Sequence, residues 1–167
     1  MGFAFQSLFL FCAISGLFNS AGTLKPTSRI VNRCPSGWTQ FNCNCYIYQE
    51  DGRTHADAEL VCNSLGGHLV YIESDLENDF VLELMRDAGN SATAWIGLTD
   101  LAVPNTYAWT DTDITFGFNN FNTDDSEPSS DTGDCAELDE SDGSWQTSAC
   151  DTETPYVCIR DVFRGKH

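Results

Sequence analysis

The sequence predicts an α+β domain. Three observations carry that expectation: two amphipathic helices with cap and stop signals, a series of short strand-like segments between turns, and a long acidic loop late in the chain. The first helix runs from His55 to about Leu65. Thr54 is placed to cap it, and Ala58, Val61, Cys62 and Leu65 fall at i, i+3, i+4 and i+7 on one apolar face. Gly66-Gly67 ends it, because glycine tolerates the left-handed conformation just past a helix. The second helix opens on Ser74-Asp75-Leu76-Glu77, a capping box in which Ser74 and Glu77 satisfy each other's orphan amides. Leu76, Phe80 and Leu84 form its expected apolar face, and Gly89-Asn90 its stop.

The strand candidates are Tyr46 to Tyr48, His68 to Ile72, Ala94 to Leu98, Tyr107 to Thr110, Cys135 to Leu138 and Tyr156 to Arg160. Between Asp111 and Asp134 the chain is acidic, with Ile114, Phe116, Phe118 and Phe121 as its few apolar anchors. A loop of this length inside a compact domain is usually functional or disordered.

The chain has 167 residues, which suits one domain with short appendages, and its 41% hydrophobic content is enough for a core. Residues 1–21 read as a signal peptide. The stretch from Phe3 to Phe18 is mostly apolar, and Asn19-Ser20-Ala21-Gly22 supplies small residues suited to cleavage, although no Lys or Arg precedes the apolar run. The run is too short and interrupted for a membrane span of roughly 20 apolar residues. The expectation is therefore a secreted, extracellular protein without membrane insertion. Residues 22–33 read as a polar linker, 34–160 as the ordered domain and 161–167 as a tail.

The net charge is −17, and no Lys or Arg occurs between Asp87 and Ile159. That field disfavours nucleic acid and attracts cations, basic proteins or a mineral face. Of 8 cysteines, Cys12 lies in the signal segment. The remaining seven, in a secreted chain, imply a disulfide framework with one thiol left over. No His-Glu-x-x-His, Gly-x-Ser-x-Gly or phosphate loop is present, so no catalytic residue is assigned and the chain is not read as an enzyme.

The residues then resemble a known family. Cys34-Pro35-Ser36-Gly37-Trp38 with Cys45-Tyr46, Cys62 in the first helix, Gly67-His68-Leu69, Trp95-Ile96-Gly97-Leu98, and Cys135, Trp145, Cys150 and Cys158 resemble the long form of the C-type lectin-like domain over Cys34 to Arg160. His55 departs from that pattern, where the family usually has Trp. The resemblance implies a fold of two helices, small antiparallel sheets and a long loop region. It also implies the disulfides Cys34–Cys45, Cys62–Cys158 and Cys135–Cys150. Cys43 is the leftover, a free thiol or an intermolecular bridge. Oxidising surroundings favour the bridge, and hence a disulfide-linked homodimer. The four tryptophans match the family's core positions.

In this family a Ca²⁺ ion joins protein to sugar. Such a hard cation needs roughly six to eight oxygens, several of them charged. The resemblance places Glu127-Pro128-Ser129 where the family has Glu-Pro-Asn, with a cis Pro128 expected, and Trp145-Gln146-Thr147 where it has Trp-Asn-Asp. The implied carbohydrate-binding residues are Glu127, Ser129, Gln146 and Thr147. The implied metal ligands are Glu127, Ser129 and Asp131, with Asp100 and Asp134 for a second ion. The set is depleted: Thr147 lacks a carboxylate, Gly133 occupies the acidic position before Cys135, and Pro104 replaces an acidic residue after Asp100. Asp111, Asp113, Asp124 and Asp125 crowd the same loop, as replacement ligands or as a solvated face. The implied function is a secreted binding protein for glycans or glycoproteins with weak or modified calcium dependence. The alternative is a calcium-independent interaction protein that binds a protein, mineral or ice surface.

Overall fold

A computed structural model describes residues 34–89, 92–110, 112–129 and 135–162. The expected signal peptide and linker, and the tail beyond Val162, lie outside the described residues. Eight strands and two α-helices follow in the order β1 (Thr39–Phe41), β2 (Asn44–Arg53), α1 (His55–Ser64), β3 (His68–Leu69), α2 (Asp75–Ala88), β4 (Thr93–Thr99), β5 (Ala108–Trp109), β6 (Cys135–Asp139), β7 (Trp145–Ser148) and β8 (Thr154–Asp161). The strands hydrogen-bond in the order β1-β2-β8-β4-β6-β7, with β3 on β8 and β5 on β4. All pairings are antiparallel except the contact of β4 with β8. The α+β expectation holds, and β1 and β7 add two strands that lie outside the strand candidates.

Local chemistry explains the helices. The Thr54 hydroxyl accepts from the Asp57 amide at 3.2 Å and starts α1. Gly66, at φ 83°, turns the chain out of it. Gly67 serves a different purpose: a Cβ there would stand 2.1 Å from the Ile159 carbonyl oxygen, so glycine lets β3 come against β8. In α2, Ser74 accepts from the Glu77 amide at 3.3 Å as expected. The return bond differs. Glu77 Oε2 accepts from the Glu73 amide at 2.9 Å, and Oε1 accepts from the buried Tyr46 hydroxyl at 2.5 Å. Gly89, at φ 72°, is the stop.

The apolar face expected for α2 is met in part: Phe80 and Leu84 pack partly buried against the core, but the buried stripe lies to one side of them. Leu76 is 72% exposed, whereas Asn78, Val81, Leu82 and Met85 face inward. Phe80 is only half-buried, stacked on Phe41 with centroids 4.6 Å apart. The reason is that Glu77 and Asn78 are turned inward by specific buried partners, which carries the Val81–Met85 stripe to the core and Leu76 outward. One core layer joins this stripe to Tyr46, Ile96, Leu98, Leu138 and Trp145. A second, beneath α1, packs Ala58, Cys62, Leu69, Trp95 and Tyr156.

Disulfides pin the sheet at three places. Cys34–Cys45 closes the β1–β2 region, Cys62–Cys158 ties α1 to β8, and Cys135–Cys150 ties β6 to the segment after β7. These are the pairs the resemblance implied. Cys43 is disulfide-bonded as well, so no free thiol stands among the described cysteines.

Candidate functional site

The long acidic loop is anchored on β7 rather than loose. The amide of Trp145 donates to the Asn120 carbonyl at 2.8 Å, and the Asn122 amide donates to the Trp145 carbonyl at 2.9 Å. Trp145 is fully buried and meets Trp109, Phe118 and Phe121 edge-on at 5.9, 5.6 and 5.8 Å. Edge-to-face aromatic pairs each add about 0.5–1.5 kcal/mol beyond area burial. The indole N–H of Trp145 donates to Asn78 Oδ1 at 2.8 Å, and Asn78 Nδ2 donates to the Gly143 carbonyl at 2.8 Å. Asn78 therefore fixes both the Trp145 ring and the β6–β7 turn from α2. Apolar periodicity does not single it out. Its signal was a polar side chain within the inward stripe of a helix.

This scaffold delivers Glu127 to β7. The Glu127–Pro128 peptide is cis, as expected. Glu127 Oε2 accepts from the Ser129 amide at 2.8 Å, the Thr147 amide at 3.0 Å and the Thr147 hydroxyl at 2.6 Å. Glu127, Ser129 and Thr147 thus come together as one unit. Gln146, next on β7, reaches Glu137 Oε2 at 3.4 Å, a long contact, while Glu137 Oε1 accepts from Thr154 at 3.1 Å. Just before the loop's docked end, a single 3-10 turn spans Thr123–Asp125, capped by Asn122. Asp113, Asp124 and Asp125 are exposed. Asp111, Asp131, Gly133 and Asp134 lie outside the described residues.

Among the described residues, the donors around Glu127 fit a calcium ion poorly. Three hydrogen bonds already crowd Oε2, and the facing side chain of Thr147 is neutral. Among the described residues no group of three His, Cys, Asp or Glu side chains is arranged to hold a metal. Asp100 is different. It is 7% exposed, its Oδ2 accepts from the Asn105 amide at 2.7 Å, and its Oδ1 is buried without a partner. An orphaned carboxylate oxygen is a donor that a cation would satisfy. Its expected companion, Asp134, is among the undescribed residues.

The remaining aromatic and histidine candidates are structural. Trp95 and Trp109 are buried, the Trp95 indole donating to the Arg53 carbonyl at 2.9 Å. The Trp38 ring carries the Arg160 guanidinium at 5.7 Å. His55 Nε2 faces the Ile96 carbonyl at 3.0 Å, and burial holds its pKa below the usual histidine range. His68 pairs with Glu59 at 2.8 Å.

A helix-flanked sheet with this disulfide frame, and a cis-proline loop docked on a Trp-led strand, defines a C-type lectin-like domain. The chain matches the family model described as Lectin C-type domain over residues 51–160 and belongs to that family. It is 33% identical to lithostathine-1 of Mus musculus over 144 residues, covering 84% of this chain and 83% of that protein. It is 32% identical over 131 residues to C-type lectin domain family 4 member M of Nomascus concolor, covering 78% of this chain but 32% of that protein. The chain thus spans about a third of the length of that relative. The solved carbohydrate-recognition domain of cow CD23, in the presence of a GlcNAc2Man3 oligosaccharide, superposes with a TM-score of 0.68 at 31% identity, over 78% of this chain and 97% of that one. No helix among the described residues is long and apolar enough to cross a membrane.

Proposed function

We propose that this chain is a secreted, non-enzymatic binding protein that recognises carbohydrate through the surface formed by Glu127, Ser129, Gln146 and Thr147, with weak calcium dependence. The observation that carries the reading is the closure of Glu127 onto β7. Two hydrogen bonds from Thr147 hold Glu127 and occupy one of its carboxylate oxygens, which leaves less of that carboxylate for a cation. Sugar hydroxyls both donate and accept, and the Glu127 carboxylate and the Gln146 amide can answer both needs, beside a buried Thr147 that positions Glu127. The membership of the family and the likeness to a domain solved with an oligosaccharide support the ligand class. The orphaned Asp100 oxygen supports a calcium contribution away from Glu127 rather than at it.

A second reading, a calcium-independent protein that binds a protein, mineral or ice surface, is favoured by the neutral Thr147 and by the acidic stretch without Lys or Arg. A glycan array probed with and without chelator separates the two. Glycan binding that persists in chelator, and that Glu127→Ala removes, supports the proposal. An array without signal in either condition refutes it in favour of the second reading.

A further inference from the structure

The surface proposed above for carbohydrate is rich in acceptors and poor in donors. Glu127 Oε2 takes three hydrogen bonds, all from neutral groups: the Ser129 amide at 2.8 Å, the Thr147 amide at 3.0 Å and the Thr147 hydroxyl at 2.6 Å. No donor among the described residues reaches the other oxygen, Oε1. The buried polar atoms without a partner lie elsewhere, on Asp100, Trp109, Thr110, Tyr156 and Arg160. Glu127 is only half-buried, so Oε1 stays open to a ligand. We infer that this site selects amino sugars whose amine is free and protonated over their N-acetylated and carboxylate-bearing counterparts. This selectivity rests on the carbohydrate reading above.

Charge is the first ground. The positive side chains among the described residues are engaged elsewhere. Arg53 holds Asp51 at 2.7 Å, Arg86 holds Glu83 at 3.1 Å and the Ser141 carbonyl at 2.8 Å, and Arg160 donates to the Leu65 carbonyl at 2.8 Å. No Lys or Arg occurs between Asp87 and Ile159, and Asp124 and Asp125 stand exposed in the 3-10 turn just before Glu127. An ammonium group on Oε1 therefore meets a carboxylate that no nearby cation balances, in a field of the same sign. A neutral hydroxyl on the same oxygen lacks that Coulomb attraction, and an acidic sugar is repelled.

Hydrogen bonding is the second ground. The donors of this surface are spent inward. Those of Ser129 and Thr147 go to Glu127, the Asn122 side-chain amide goes to Asp125 Oδ2 at 2.8 Å, and the Gln146 amide leans on Glu137 Oε2 at 3.4 Å. A ligand that needs donors finds few. A protonated amine brings three donors and accepts nothing. It also asks less than calcium, which wants roughly six to eight oxygens, so one open carboxylate oxygen that is too little for the metal is enough for the amine.

The test uses the full oxidised chain in chelator and β-1,4-linked tetramers of glucosamine, N-acetylglucosamine and glucuronic acid, titrated by calorimetry at pH 6. The glucosamine tetramer should bind about tenfold or more tightly than the acetylated one, with the acidic tetramer weakest. The margin should shrink to about twofold or less at pH 9, above the ionisation of an α-amino group at about 7.7–8.0. Glu127→Gln keeps an oxygen for the three inward donors and turns an N–H₂ outward, so it should erase the preference. Asp57→Asn removes a charge from an exposed position on α1 and should leave the preference intact. Equal binding of the amine and acetylated tetramers at pH 6 would overturn the amine preference while leaving the carbohydrate reading standing. Equal losses in Glu127→Gln and Asp57→Asn would reduce the effect to net charge, and tetralysine binding as tightly as the glucosamine tetramer would give the surface to basic peptides; either overturns the inference. Absence of binding by all three tetramers overturns it as well, and the glycan array then decides the wider reading separately.

Discussion

Replacing Asn78 by Ala tests whether α2 holds β7 in place. Two buried bonds are lost, but their consequences differ. The Gly143 carbonyl keeps a second donor, Asn120 Nδ2 at 2.8 Å, so it is not stranded. The Trp145 indole N–H loses its partner inside a fully buried environment. A stranded buried donor costs about 1–3 kcal/mol. The space left by the missing amide adds a further packing loss on the order of 1 kcal/mol. The expected destabilisation is therefore about 2–4 kcal/mol by denaturant unfolding of the disulfide-intact protein. A double-mutant cycle sharpens the test. In a Trp145→Phe background there is no N–H to strand, so Asn78→Ala should cost about 1–3 kcal/mol less. Equal costs in both backgrounds would refute the claim that Asn78 acts through the Trp145 indole.

Loss of the Cys62–Cys158 bridge, 96 residues apart in sequence, should cost about 4–5 kcal/mol on the chain-entropy account, against about 3 kcal/mol for Cys135–Cys150 at a separation of 15. Paired Cys→Ala unfolding measurements give that ranking, and its reversal would show that native-state strain dominates. Gly67→Ala places a Cβ against the Ile159 carbonyl and should destabilise by about 1–3 kcal/mol. A neutral result in thermal melts would mean that β3 and β8 separate freely. Burial raises the pKa of Glu77 above its ordinary value near 4.3, the bond from Tyr46 only partly offsetting it. Its stabilising contribution is then full below the unfolded pKa and is lost as pH rises through the folded one. The advantage of the native chain over Glu77→Gln should shrink between pH 4 and pH 8, and growth over that window would contradict the assignment.

The parts of the fold legible in the sequence were those set by local rules. Thr54, Ser74, Gly66 and Gly89 announce helix ends because capping depends on a residue's own hydroxyl or φ angle. The disulfide pairs followed from the family pattern, since spacing alone leaves many connectivities open. Periodicity places Phe80 and Leu84 against the core but misplaces Leu76, because it counts apolar residues. Here the stripe is oriented by Glu77 and Asn78, whose partners Tyr46, Trp145 and Gly143 lie 31 to 67 residues away. The candidate site was legible in its members but not in its state. Glu127, Ser129 and Thr147 were identified as a group, and Thr147 was read as a lost ligand. The structure adds that its hydroxyl and amide hold Glu127, a property of a tertiary contact.

On the reading proposed above, Thr147 rather than a cation holds Glu127 in place. Calcium titration by calorimetry tests it most directly, on the native chain and on the Gln146→Asn, Thr147→Asp variant. Extracellular calcium modules bind at about 10⁻⁴–10⁻³ M. Native affinity should be weaker than about 1 mM and little changed by Glu127→Ala, with tighter binding in the double variant, whose new carboxylate faces Glu127. Submillimolar native binding that Glu127→Ala destroys would contradict it.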